Sequence, residues 1–174
     1  MLANDLGLTP GNSFLCDPAC ARELLLRSAD PNVSGPRGYS PLRYAMTTSS
    51  EETMSTSLPE LLLEYGAKLE PDLLFVVVAP RVKFAELRTK FLLAKGLDPN
   101  SISAEWGTPL HLAVYSAKPI VVKLLLDAGA DPTVRAAATT KYPGQTPAQV
   151  AEKIGRMGFP DTMQTVLDIL QSGG

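Results

Sequence analysis

The chain of 174 residues has one histidine, His111, two cysteines, Cys16 and Cys20, and eighteen acidic side chains with which to move protons, attack a carbonyl or hold a metal. A Ser-His-Asp or Cys-His mechanism has to run through His111, because the nucleophile needs a base beside it. Tetrahedral zinc asks for three or four well-placed ligands, which one His and two Cys do not supply. Gly155-Arg156-Met157-Gly158 is too short for a phosphate-cradling loop and lacks the Lys-Ser or Lys-Thr that follows one. Glu51-Glu52 stands in a polar run with no partner motif. No catalytic residue, cofactor site or metal site is therefore expected. Sixteen basic against eighteen acidic residues leave a net charge of −2, so the clustered positive charge that neutralises phosphates is missing and no nucleic-acid partner is expected.

The elements that position these groups follow from composition and punctuation. At 45% hydrophobic and 20% charged the chain is that of a folded protein with enough residues for a real core. Met1 to Asp5 carries a negative charge and no basic or long apolar run, which argues against a signal peptide. The longest apolar stretch, Leu73 to Pro80, is far short of the roughly 20 residues that cross a bilayer. Cys16 and Cys20, four apart, fit one helix face as thiols better than a disulfide framework. An intracellular protein, cytoplasmic or nuclear, without membrane contact is the expectation.

Fifteen prolines and thirteen glycines fall at intervals, the signature of internal repeats. A Leu-rich helix running into a Gly or Ala turn recurs as Leu24-Leu25-Leu26-Arg27-Ser28-Ala29-Asp30, Leu61-Leu62-Leu63-Glu64-Tyr65-Gly66-Ala67-Lys68, Phe91-Leu92-Leu93-Ala94-Lys95-Gly96-Leu97-Asp98 and Leu124-Leu125-Leu126-Asp127-Ala128-Gly129-Ala130-Asp131. The equivalent positions 30, 68, 98 and 131 are 38, 30 and 33 residues apart, a period near 33 with loop-sized variation. A helix start keeps the same phase: Ser40-Pro41-Leu42, Thr108-Pro109-Leu110 and Thr146-Pro147-Ala148, with Glu70-Pro71-Asp72 in the same slot without the hydroxyl. Ser or Thr caps the orphan backbone N–H groups, and Pro at the first helical position loses nothing by lacking one. Each unit is thus a short helix, a turn, a longer Leu-rich helix and an extended link. In that frame Leu73 to Ala79, strand-like in β-branched content, becomes a buried first helix, and Phe84 to Ala94 the outer one.

Gly107-Thr108-Pro109-Leu110-His111-Leu112-Ala113, followed by Ile120-Val121-Val122-Lys123-Leu124-Leu125-Leu126-Asp127-Ala128-Gly129-Ala130-Asp131, closely resembles the ankyrin-repeat consensus. The resemblance implies an all-α fold: an ankyrin-repeat solenoid of stacked helix-turn-helix units linked by extended turns. It is expected to occupy 1–174 as one domain, with repeats at about 13–34 (partial), 35–68, 69–101, 102–134 and 135–172. Polar insertions lengthen the loop at 47–57 and the link at 135–143. The family's use as binding scaffolds implies a non-catalytic interaction module, an adaptor or regulatory subunit. It would hold a protein or peptide on a concave face of turn tips and first-helix ends.

Carried over by position, the tips hold Arg37 and Tyr39, Glu105 and Trp106, and Tyr142 and Gln145. The first-helix ends hold Tyr115 and Ser116, with Thr47 and Thr48 as counterparts. Tyr, Trp and Arg dominate interface energies when buried against a partner. Arg43 sits in the slot that His111 and Gln149 occupy in other units; at His111 the resemblance implies hydrogen bonds between repeats. Asp30, Asp98 and Asp131 form turns by accepting backbone N–H groups. Asn32 and Asn100, each after Asp-Pro, sit where ankyrin domains are hydroxylated, although the preceding residue here is Pro. Two alternatives stand beside the interaction module. One is a fragment of a larger protein whose activity lies elsewhere, with a monomer expected unless the N-terminal repeat is truncated. The other is an atypical small-molecule binder or enzyme using a groove beside the 47–57 loop.

Overall fold

The computed structural model describes residues 18–35, 38–47 and 57–172, and among them it is all-α, with nine helices and one isolated antiparallel bridge, Ser103 to Gly107. They are α1 (Pro18–Leu26), α2 (Pro41–Thr47), α3 (Ser57–Glu64), α4 (Leu73–Val78), α5 (Ala85–Ala94), α6 (Pro109–Tyr115), α7 (Pro119–Asp127), α8 (Pro147–Met157) and α9 (Pro160–Ser172). The chain divides into two compact units, 1–73 and 74–174.

In the first unit α3 packs against both α1 and α2. Its core is Ala21, Leu25, Leu42, Ala45, Met46, Leu58, Leu61 and Leu62, the apolar stripes of three short helices. In the second unit the outer helices α5, α7 and α9 pack in succession, and the inner helices α6 and α8 pack on each other and on their own outer partners. Neither helix of a pair buries its apolar face alone; stacking does so for both.

The β-branched run is helical. Leu73, Leu74, Val77 and Val78 are fully buried, the i, i+1, i+4, i+5 stripe of one helix face. Burial of four large apolar side chains outweighs a propensity penalty of a few tenths of a kcal/mol per residue. The helix begins later than Pro71, however: Pro71 and Asp72 form a turn, and Leu73 N–H donates to Glu70 C=O at 3.1 Å. Without a Ser or Thr cap, Glu70 and Asp72 turn their carboxylates to Arg43 instead. Phe84, expected as the first residue of the outer helix, is the left-handed N-cap of α5 (φ 56°).

Four helices end in the same way. After α3, α5 and α7, Gly66, Gly96 and Gly129 take φ of 88–90°, and paired backbone bonds close the turn, as with Gly129 N–H to Leu126 C=O and Ala130 N–H to Leu125 C=O, both 2.9 Å. This is the Schellman arrangement, which needs a left-handed residue after the helix. After α1 the slot holds Ser28, at φ 65°, with the equivalent bonds from Ser28 and Ala29 to Leu25 and Leu24.

Asp30, Asp98 and Asp131 accept backbone N–H groups two residues on at 2.8–2.9 Å. Asn32 and Asn100 then reach into the following turn. Asn100 donates Nδ2–H to Gly129 C=O (2.9 Å) and accepts Asp131 N–H (2.8 Å), while Asn32 does the same with Gly66 and Lys68. Lys118, in the α6–α7 turn, donates its ammonium to Ala79 C=O (2.7 Å) and Val82 C=O (3.1 Å), satisfying carbonyls just past the end of α4. Burial pulls the Lys118 pKa below its ordinary value.

Candidate partner-binding surface

The site in the second unit is built on a tight tip. Ser103 and Gly107 exchange both backbone hydrogen bonds (2.7 and 3.0 Å), and Ser103 Oγ accepts the N–H groups of Glu105 (3.2 Å) and Trp106 (3.4 Å). Trp106 is therefore presented from a backbone held at both ends. Gly107 has φ 84°, and a Cβ there would meet Ala136 Cβ and His111 Nδ1 at 3.2 Å, so only glycine fits where the tip enters α6.

His111 locks the tip to the next link. Its Nδ1 accepts Thr108 N–H (3.2 Å) and lies 2.8 Å from Thr108 Oγ1; its Nε2–H donates to Gln145 C=O (3.0 Å). At 1% exposure the ring is a satisfied core group. Burial pushes its pKa below the usual histidine value and the Gln145 carbonyl offsets this in part, so the neutral Nε2–H tautomer fits both bonds. In the last pair Gln149 makes the same capping box with Thr146.

The 135–144 link folds back on the tip. Ala136 and Gln145 are joined at 2.9 Å, Gly144 N–H bonds Ala136 C=O (2.8 Å), Lys141 N–H donates to Glu105 C=O (2.9 Å), and Thr139 Oγ–H donates to Ala104 C=O (3.3 Å). These bonds bring together three rings distant in sequence. Trp106 and Tyr115 have centroids 4.9 Å apart, and Tyr115 and Tyr142 6.0 Å, both tilted, within the range of favourable aromatic pairs. Lys141 Nζ sits 3.9 Å from the Tyr115 centroid and 4.9 Å from that of Trp106, and donates to Tyr115 Oη at 2.7 Å. Lys153, from α8, lies 5.4 Å over Tyr142. Burial raises the Tyr142 pKa, opposed by the charge of Lys141.

Of the residues expected at a partner face, Trp106, Tyr115 and Tyr142 are thus assembled into one half-buried row, with the exposed Glu105 on the tip beside Trp106. Ser116 and Gln145 flank the row, but Ser116 Oγ and Gln145 Oε1 are buried with no hydrogen-bond partner, so these atoms do not face solvent. In the first unit, Tyr39 and Arg43 pair with each other, the guanidinium 5.6 Å from the ring centroid. Arg43 is no solvated side chain: Nε donates to Glu70 at 2.9 Å, Nη2 pairs with Asp72, and Ser40 Oγ bonds Glu70 from the other side. Burial pulls its pKa down, but the bonds and charges of Asp72 and Glu70 outweigh that and hold it above its ordinary value. Arg37, Thr48 and Cys16 lie outside the described residues, as does most of the 47–57 loop. Lys141 is the member the sequence reading missed; its one signal was a place beside Tyr142 in the inserted link. Among the described residues no group of three or more His, Cys, Asp or Glu is placed to hold a metal, and no helix is long and apolar enough to cross a membrane.

The ankyrin-repeat family model matches residues 107–137, the stretch that carries the tip, α6, α7 and the start of the inserted link. Residues 107–137 are thus identified as an ankyrin repeat. The chain is also similar to the 2-5A-dependent ribonuclease of Mus musculus, 44% identical over 66 residues. That match takes in 37% of this chain and 8% of the mouse protein. Ankyrin repeats serve generally as protein-interaction modules without catalytic chemistry of their own, and in the second unit helix pairs stack through neighbour contacts.

Proposed function

We propose that the chain is a non-catalytic adaptor or regulatory subunit that docks a protein or peptide segment on the row Trp106, Tyr115 and Tyr142 of the second unit, with the exposed Glu105 beside it. The observation that carries this reading is the row itself: three half-buried rings held in order by backbone bonds of the tip and link, where a rigid aromatic surface costs little side-chain entropy on binding. The location proposed is intracellular. Affinity capture from native extract, comparing the wild type with a Trp106→Ala, Tyr115→Ala double variant, tests it. Partners captured by the wild type are expected to be lost from the variant at equal folded protein; retention of every partner excludes this face.

A second reading keeps the module but places an activity elsewhere in a longer polypeptide. It is favoured by the similarity of 66 residues to a small part of a protein named as a ribonuclease. The mass of the native polypeptide on an immunoblot decides it: a band near 18.6 kDa rejects the longer chain.

A further inference from the structure

Among the described residues, no carboxylate pairs with Lys141 or Lys153 beside the aromatic row. Arg27 pairs with Glu23, and Arg43 with Glu70 and Asp72, in the first unit; Lys141 and Lys153 take part in none of these pairs. In the second unit Lys141 faces two rings and a phenol oxygen, Lys153 faces the Tyr142 ring, and Glu105 on the tip pairs with neither. A ring face attracts an ammonium through its quadrupole but does not neutralise its charge. Each lysine therefore keeps most of its attraction for a carboxylate, and the rings beneath hold it where an incoming segment would meet it.

We propose that this row docks an acidic, extended peptide segment of a partner protein. The segment lays an apolar or aromatic side chain against Trp106 and Tyr115, brings one carboxylate to Lys141, and within the next few residues a second to Lys153. The proposal rests on the docking reading above and adds the chemistry of the occupant. Two facts favour a peptide over a small anion: the rings extend over centroid spacings of 4.9 and 6.0 Å, and the two ammonium groups stand over different rings of the row.

Trp106 is the single tryptophan, so its fluorescence reports this site alone. The experiment selects a random peptide library on the immobilised full chain, then titrates the best peptide and its Asn/Gln counterpart by Trp106 fluorescence against the wild type, Lys141→Gln and Lys141→Arg. Capture by Trp106→Ala is measured in parallel. Expected are selected sequences rich in Asp and Glu beside an apolar residue. The amide peptide and Lys141→Gln should each bind about tenfold more weakly. Lys141→Arg should retain binding, and affinity should fall as salt rises from about 0.05 to about 0.5 M. Lys141 is exposed, and circular dichroism checks that its variants fold. Selected peptides without acid enrichment, or indifferent to Lys141→Gln while lost with Trp106→Ala, overturn the acidic occupant and leave the docking reading standing. Peptides that survive Trp106→Ala put binding elsewhere and sink both. Failure to select any peptide overturns the proposal, as does inorganic phosphate that shifts the fluorescence as strongly as the peptide does.

Discussion

His111 joins three levels of the structure in one side chain: a helix cap through Thr108, a link through the Gln145 carbonyl, and a core position with 1% exposure. Its folded pKa lies below the usual value of about 6.5, so the unfolded chain takes up a proton first as the pH falls. Its contribution to stability is therefore complete above about pH 6.5 and is lost as the pH drops towards the folded value. His111→Gln keeps the capping box, as Gln149 shows, and removes the titration. Thermal unfolding at about pH 7.5 and about pH 5 should show a larger loss of Tm for the wild type than for His111→Gln. Equal losses would mean the imidazole does not couple to folding.

At the scale of the element, helix termini do most of the specifying. The left-handed slot after α3, α5 and α7 is filled by glycine, and after α1 by Ser28, although the backbone bonds are the same. A residue with a Cβ costs roughly 1–2 kcal/mol in that conformation, and glycine gives back part of the gain through its freer unfolded state. Ser28→Gly should raise the stability of the first unit by about 0.5–1 kcal/mol, read as a higher denaturant midpoint. A lower midpoint would show that Ser28 makes a compensating interaction. The Lys118 ammonium does a related service at the other kind of turn, where the carbonyls following α4 have no glycine-closed turn to receive them.

At the scale of the molecule, the stability of stacked repeats is a sum of unit terms and neighbour terms. Asn100 is a neighbour term in nearly pure form, since both ends of its amide bond the backbone of the next turn and its position lies outside the helices. Asn100→Ala should lower the denaturant midpoint by an amount worth about 1–2 kcal/mol and also reduce the slope of the transition, because neighbours that are less coupled unfold less cooperatively. An unchanged slope with a lower midpoint would make it a local turn residue only. The same amide holds place Asn32 and Asn100 as structural links, a role that Asp-Pro-Asn in the sequence did not announce.

The sequence by itself marked a recurring helix pair and several of the helix ends. Thr108-Pro109, Thr146-Pro147, the Leu-rich runs and the Gly turns act within four residues of themselves, so their consequences are local and readable in order. It also marked Trp106, Tyr115 and Tyr142 as candidates, through their places in the repeat. Only the tertiary structure decided what joins positions some 30 residues apart: Arg43 with Glu70 and Asp72, Asn100 with Gly129, Lys118 with Ala79, and Lys141 over Tyr115 and Trp106. It also showed what lets the β-branched run Leu73 to Val78, placed as a helix by the repeat frame, keep that form: one face is buried against neighbours. The physical reason is common to all of these. Backbone preferences act along the chain, whereas charge pairing, ring contact and burial depend on which repeat lies next to which, and one side-chain length of displacement breaks them.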